Sequence, residues 1–358
     1  MRGRCISLTE EENKQNIIQN VLDLYPFQVQ NVSLISMKSG RTTWLVDTDE
    51  GQKILKNTEV KPERMLFIAE AHEHLHTNGL PIAKIYRTKN GAITVGAGES
   101  AFVLYDKVDG KEVIYYNEER LMETMKFMAQ FHQLSKGYIP NPESKKRGRL
   151  GKWHKLYRWK LQELEGNKKI AQGLTTDPFS LMFLENVDQM LQRGREALLE
   201  LDEAPYQNWS REWIEASGFG QQDFTMARFI DTEEGLFMKE LHSITYDLPS
   251  RDIRILINKV MKKMSIWDPD LALKMMKAYQ TVHPLTEEQY KVLWTDLKFP
   301  HLFCSIIHKY YLGQKASWSD EKYIWALQNI VSLENSKGEF LNQFPDLVKT
   351  VHETKEGE

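Results

Sequence analysis

Phe219-Gly-Gln-Gln-Asp-Phe-Thr-Met-Ala-Arg-Phe229 and, after a short gap, Lys239-Glu-Leu-His-Ser-Ile-Thr-Tyr-Asp-Leu-Pro-Ser-Arg-Asp252 are the two stretches on which the reading of this chain turns. The first places Asp223 after an expected strand and before an irregular run, with Phe219 and Phe224 as core anchors on either side. A carboxylate held that way is the best candidate base in the chain, although Asp in loops also commonly accepts nearby backbone N–H groups. Tyr246, Asp247 and the Arg251-Asp252 pair read as structural, with Asp252 at a helix start where it can serve the first N–H groups.

Upstream, a polar helix is expected near residues 10 to 23, followed by strands around 31–37, 42–48 and 52–56. Asp49-Glu50-Gly51 joins the last two as a hairpin turn. From Glu63 to Asn78 the residues Met65, Ile68, Ala69, His72 and Leu75 fall at helical spacing, and Gly79 supplies the stop. Strands at 92–95 and 101–105 lead into Asp106-Lys-Val-Asp-Gly110, a connector. Beyond residue 116 the pattern turns helical, with Leu121, Met125, Met128, Ala129 and His132 on one face. Further helices are expected at 180–200, 251–265, 269–281, 286–312 and 319–334. Thr286 and Gln289 form a capping-box pattern, and Pro300 kinks or divides its helix. The expected architecture is α+β, a small antiparallel β lobe at 1–106 and a larger, mainly helical lobe at 107–358.

At 358 residues with 41% apolar residues the chain is long enough for two packed cores. A net charge of −3 provides no global field for nucleic acid or membrane. Cys5 and Cys304 are the only cysteines and lie outside any metal or redox spacing, which fits a reducing compartment. The acidic Glu10-Glu11-Glu12 leaves no room for a signal-peptide apolar region, and no apolar run approaches membrane-spanning length. The ten histidines form no metal motif; His72, His74 and His76 split between faces of one helix, and His132 reads as a packed residue bonded to backbone near the 219–229 loop.

Phosphoryl transfer needs a lysine on the nucleotide phosphates, a carboxylate at the acceptor hydroxyl and ligands for magnesium. Lys56, at the end of the 52–56 strand, is the candidate lysine; a solvated edge is the plainer reading. The segment Lys145 to Lys160 interleaves eight Lys or Arg with Trp153, Tyr157 and Trp159, a pattern that can grip a polyanion. The plainer reading is a solvated loop and helix with its aromatic residues turned inward.

Taken with Met128-Ala-Gln-Phe-His132, Gln222-Asp-Phe224, the Ser243 to Asp252 string and the Tyr279 to Glu287 stretch, the chain resembles the CotS-type spore-coat proteins, within the aminoglycoside phosphotransferase and choline kinase-like superfamily. The resemblance implies a protein kinase-like bilobal fold, ATP and magnesium as cofactors, spore coat partners, and passage from the mother-cell cytoplasm to the coat. It also exposes departures. Asp223 keeps the catalytic aspartate's position, but Gln221 stands where the superfamily has histidine. Arg228 stands where it has a magnesium-binding asparagine, and Glu240 where it has the metal-binding aspartate. A guanidinium offers no lone pair. Held ~4 Å from a divalent ion, it would be repelled by about 8 kcal/mol at an effective dielectric near 20. Arg228 is therefore expected to stand in for the metal by pairing with Asp223 or Glu240. Near Ile68, where the superfamily has a glutamate for the nucleotide lysine, only Glu63 or Glu70 is at hand. Ser39-Gly40-Arg41 holds a single glycine, a poor phosphate loop. The expected function is a coat-assembly protein with a degenerate, pseudokinase-like site; the alternative is an ATP-dependent phosphotransferase acting on a hydroxyl or amino group of a small molecule.

Overall fold

A computed structural model describes residues 16–38, 40–113, 117–315 and 317–353. They fall into two compact units, neither of them one continuous stretch: Met1–Glu112, Tyr138–Arg147 and Arg228–Ile244 form the first, and Val113–Gly137, Gly148–Ala227 and Thr245–Glu358 the second. Cys5, the acidic run at 10–12 and Ser39 lie outside the described residues, as does the first half of the expected N-terminal helix, whose remainder is α1 (16–22).

The first unit is built on an antiparallel sheet of β1 (Val29–Lys38), β2 (Arg41–Thr48), β3 (Gly51–Thr58), β4 (Ile85–Tyr86), β5 (Val95–Ala97) and β6 (Ser100–Asp106). The order is β1-β2-β3-β6-β4, with β5 on β6. The expected hairpin is present, with Thr48 opposite Gly51 and Trp44 opposite Leu55. Gly51 takes φ 90°, which a side chain disfavours, and Thr48 Oγ1 closes the turn by donating to the Gly51 carbonyl at 2.7 Å. One sheet face buries Val46, Leu55, Phe102 and Leu104 against Val21, Leu22 and Tyr25 from α1 and the turn after it. Helix α2 (Pro62–Thr77) opens on a proline, which costs nothing where the N–H is unpaired anyway, and buries all five residues predicted for its inner face. The expected strand at 92–95 is found instead at β5, 95–97, and β4 was not foreseen, being only two residues long.

A second small sheet joins β7 (Lys111–Glu112) to the hairpin β8 (Phe229–Thr232) and β9 (Gly235–Met238). Gly110 precedes it at a close approach, since a Cβ there would lie 2.4 Å from the carbonyl oxygen of Asp231.

The second unit is helical: α3 (Glu118–Leu134), α4 (Trp153–Gln172), α5 (Pro178–Glu200), α6 (Ala204–Glu215), α7 (Pro249–Met264), α8 (Pro269–Gln280), α9 (Glu287–Lys298), α10 (His301–Tyr311) and α11 (Asp320–Glu353). The Thr286 capping box is formed in both directions. Pro300 divides the expected 286–312 helix, because the residue before a proline is driven out of helical ψ and Phe299 sits at ψ 130°.

α6 was not foreseen. α4 begins within the basic segment and buries Trp153 and Tyr157, in line with its plainer reading, while Trp159 stays half exposed. α11 runs well past residue 334 and through Pro345. A proline inside a helix strips the carbonyl four residues back of its donor. Here Trp294 Nε1 of α9 donates to that carbonyl, Leu341 O, at 3.0 Å, so the helix continues.

Candidate functional site

The expected site residues fall into two groups, one in each unit. In the first unit Lys56 sits mid-sheet, opposite Thr43 on β2 and Val103 on β6. Its Nζ lies 2.5 Å from Glu240 Oε2, and the other oxygen, Oε1, is 2.8 Å from His242 Nε2. The lysine's carboxylate partner is thus Glu240, and Glu70, offered above as a substitute, instead accepts the N–H of Asn141 at 3.2 Å. Burial pushes the Glu240 carboxyl up, but the His242 hydrogen bond and the Lys56 charge outweigh it and hold the group well below the ordinary carboxylate range. For His242 burial dominates and lowers the ring, Glu240 opposes, and the charges of Arg228 and Arg41 lower it further.

Two residues of α2 fix the backbone that carries Glu240. His72 is fully buried; its Nε2 meets Ala83 O at 2.5 Å and its Nδ1 meets the Leu241 N–H at 3.4 Å. A carbonyl only accepts, so Nε2 carries the proton and Nδ1 accepts. Burial brings His72 down to about 4, which keeps the ring neutral in this role. Arg64 donates to Ile244 O at 2.5 Å and to Lys145 O at 3.4 Å, closing the other end of the 240–244 segment. Arg228 ends a single 3₁₀ turn, Met226–Arg228, and its carbonyl accepts from Lys239 N at 3.0 Å.

In the second unit Phe219 and Phe224 are fully buried, as expected, and stand edge-on to Phe131 at 5.6 and 5.1 Å. The strand expected before Asp223 is reduced to one antiparallel bridge between Gly220 and Thr245. The loop's course is set instead by Asp252, which corrects the expectation that this residue caps its own helix. Asp252 Oδ2 accepts from Gln221 N at 2.8 Å and Oδ1 from Gln222 N at 2.6 Å. Gly220 is needed for this approach, since a Cβ would stand 2.7 Å from Oδ2. Gln222 takes φ 63° and sends its amide to Asp247 Oδ2 at 2.8 Å. Asp247 in turn receives Trp153 Nε1 at 2.7 Å and Arg251 at 2.9 Å.

His132 is buried as expected, but its partners are side chains: Tyr279 OH at 2.8 Å and Asp252 Oδ2 at 3.2 Å. It reaches the loop's backbone through Asp252. Asp223 itself projects from this frame, about one third exposed, with Lys259 Nζ 3.1 Å from its Oδ1.

Lys259, His242 and Arg64 were not among the expected site residues, and His72 was expected only as an inner-face residue of α2. Two of them left a signal: His242 is two residues from Glu240 along an extended run, hence on the same side, and Lys259 is seven residues from Asp252 along α7, hence on the same stripe. The residues present do not suit magnesium as they stand. Each oxygen of Glu240 already has a side-chain nitrogen within 2.8 Å, and the guanidinium of Arg228 offers no lone pair.

Residues 19–344 match the family model described as "Spore coat putative kinase YutH". Spore coat protein S of Bacillus subtilis is 56% identical over 347 residues, covering 97% of this chain and 99% of that protein. Among solved structures, the aminoglycoside phosphotransferase of Alicyclobacillus acidocaldarius superposes with a TM-score of 0.77 at 17% identity, over 94% of this chain and 96% of that one. A spectinomycin phosphotransferase in complex with ADP and spectinomycin superposes at 0.54 and 11% identity, over 94% and 97%. At those identities the structures establish the fold, a kinase-like one with an antiparallel sheet region followed by a helical part. The family match over most of the chain, together with the 56% identity, places the protein in the spore-coat family of kinase-like proteins.

Proposed function

We propose that this protein is a structural and assembly component of the bacterial spore coat, made in the mother-cell cytoplasm, in which a kinase-like fold serves as scaffold and the nucleotide site is degenerate. The observation that carries the reading is the Lys56–Glu240–His242 cluster, in which the candidate phosphate lysine and the candidate metal carboxylate satisfy each other. Freeing either for a ligand costs the pair. Gln221 and Arg228 add two positions whose side chains cannot do the superfamily's chemistry. The name and high identity of Spore coat protein S support coat proteins as partners.

The test is calorimetric titration of ATP, with and without magnesium, into the purified chain and into Lys56→Ala. Heat only at the dilution level in every titration is the expected result. Magnesium-dependent binding that disappears in Lys56→Ala would overturn the degenerate-site reading.

That outcome would favour the second reading, an ATP-dependent phosphotransferase for a small hydroxyl or amino compound. It is supported by Asp223, whose carboxylate, about one third exposed, keeps the catalytic position, and by fold neighbours solved with ADP or AMP-PNP. Under it Lys56 would bind the phosphates and Asp223 would accept the acceptor's proton. Turnover of ATP abolished in Asp223→Asn is its signature.

A further inference from the structure

β1 ends the strand order of the larger sheet, and among the described residues no strand pairs with its outer side. A terminal strand presents a row of unsatisfied N–H and C=O groups, and edges that stay single are short, or carry charges, prolines or bulges. β1 is ten residues long, has no proline, and has Lys38 as its single ionisable side chain. Its apolar side chains are also turned to solvent: Leu34 is 55% exposed, Ile35 54% and Met37 58%. Irregularities at the Val29/Asn31 and Leu34/Ser36 steps increase the strand's twist, a twist that a second copy of the same strand shares.

Charge separates the two ends of this edge. At one end Lys38 lies opposite Arg41, both exposed, and with Glu59 held beside Gly40 that end keeps a net basic excess. At the other, Asp49 and Glu50 form the exposed β2–β3 turn, and Asp49 is tied to the residue before β1: its N–H reaches Gln28 O at 3.1 Å, and its Oδ1 accepts from Gln28 N at 2.8 Å. Ten residues of strand put about 30 Å between the ends, several screening lengths at physiological salt. A parallel copy laid along this edge would meet like charge with like, whereas an antiparallel copy meets basic with acidic at both ends.

We infer that β1 pairs antiparallel with β1 of a second copy of this chain about a two-fold axis. The sheet then continues across the contact, and Lys38 and Arg41 of each copy stand against Asp49 and Glu50 of the other. Such an interface is isologous and closed. It covers Leu34, Ile35 and Met37 and satisfies the row of backbone groups, which is the strand-addition mode of recognition.

Sedimentation equilibrium of the full chain in low-salt buffer tests this. A concentration-dependent dimer is expected, and Lys38→Glu and Glu50→Lys should each raise its dissociation constant by about tenfold, since each change turns two attractions into repulsions. The double variant should recover the wild-type value. Both side chains are exposed, so thermal melts taken at concentrations where every form is monomeric are expected to be unchanged. A chain that stays monomeric at every concentration, a dimer indifferent to the single swaps, or single-swap losses that the double variant fails to restore would each overturn the pairing. None of these outcomes bears on the ATP titration above.

Discussion

Lys56 Nζ and Glu240 Oε2 stand 2.5 Å apart within one compact unit, and Glu240 is nearly dry while Lys56 keeps about a fifth of its side chain in water. Breaking a buried pair from one side leaves the other charge uncompensated, at 3–5 kcal/mol where both are buried. Because Lys56 can turn partly to solvent, Glu240→Gln should cost less, about 2–3 kcal/mol. Chemical denaturation would measure it, and Lys56→Met should cost more, since the ion it strands is the drier one.

Acid should weaken this unit in two stages. His72 has its folded value lowered to about 4, so the unfolded chain takes up a proton first, near the ordinary histidine value of ~6.5. The stability it contributes is complete above that value and falls as pH drops toward 4. Glu240 is a depressed carboxylate; its contribution is complete above the ordinary glutamate value of ~4.3 and is lost as pH falls further toward its folded value. Thermal midpoints between pH 8 and pH 3 should show both declines, and His72→Gln should shrink the upper one, leaving the share that the lowered His242 ring contributes, without changing the lower.

Arg228→Asn should raise the His242 ring toward the ordinary histidine value, because the Arg228 charge is one of the influences holding it down. Titration of the ring protons by nuclear magnetic resonance reads this directly. An unmoved ring would show that the Arg228 charge does not reach it and that burial, Glu240 and Arg41 set its value.

Asp252→Asn should destabilise the loop by about 2–4 kcal/mol, because one backbone N–H keeps only an uncharged acceptor and the other is left facing the amide's NH2 donor. Faster amide exchange confined to Gln221 and Gln222 should accompany the loss. Uniform exchange across the unit would point to general unfolding instead.

Trp294→Phe should cost about 1–2 kcal/mol by leaving Leu341 O without its donor. Pro345→Ala provides a main-chain N–H for that carbonyl and should recover most of the loss in the double variant. Equal losses in both backgrounds would mean that the indole contributes by packing alone.

Most of the architecture was legible because it rests on local signals. Periodicity placed α2 and α3 with their inner faces correct, and turn chemistry placed the β2–β3 hairpin, the Thr286 cap and the break at Pro300. The failures are places where distant residues decide. Periodicity and propensity give no warning that an indole fifty residues away in sequence will replace the donor missing at Pro345. The site shows the same division. Asp223, Lys56 and Glu240 could be named from their positions, but that Glu240 is the lysine's partner depends on how β3 and the 240–244 segment are brought together, with His72 and Arg64 holding the latter. Asp252 was misassigned because a carboxylate in the first turn of a helix usually serves that helix, and here the loop's two N–H groups reach it instead.

The residues that hold the 219–229 loop in shape are Gly220, Asp252, His132 and Tyr279, and none of them occupies a position where the superfamily's chemistry is done. The loop's course and its candidate base Asp223, about one third exposed, are therefore carried by different side chains, so Asp223 can be exchanged without deforming the loop. A lineage can thus lose a catalyst in a few steps while retaining its surfaces intact, leaving those surfaces open to selection for another role.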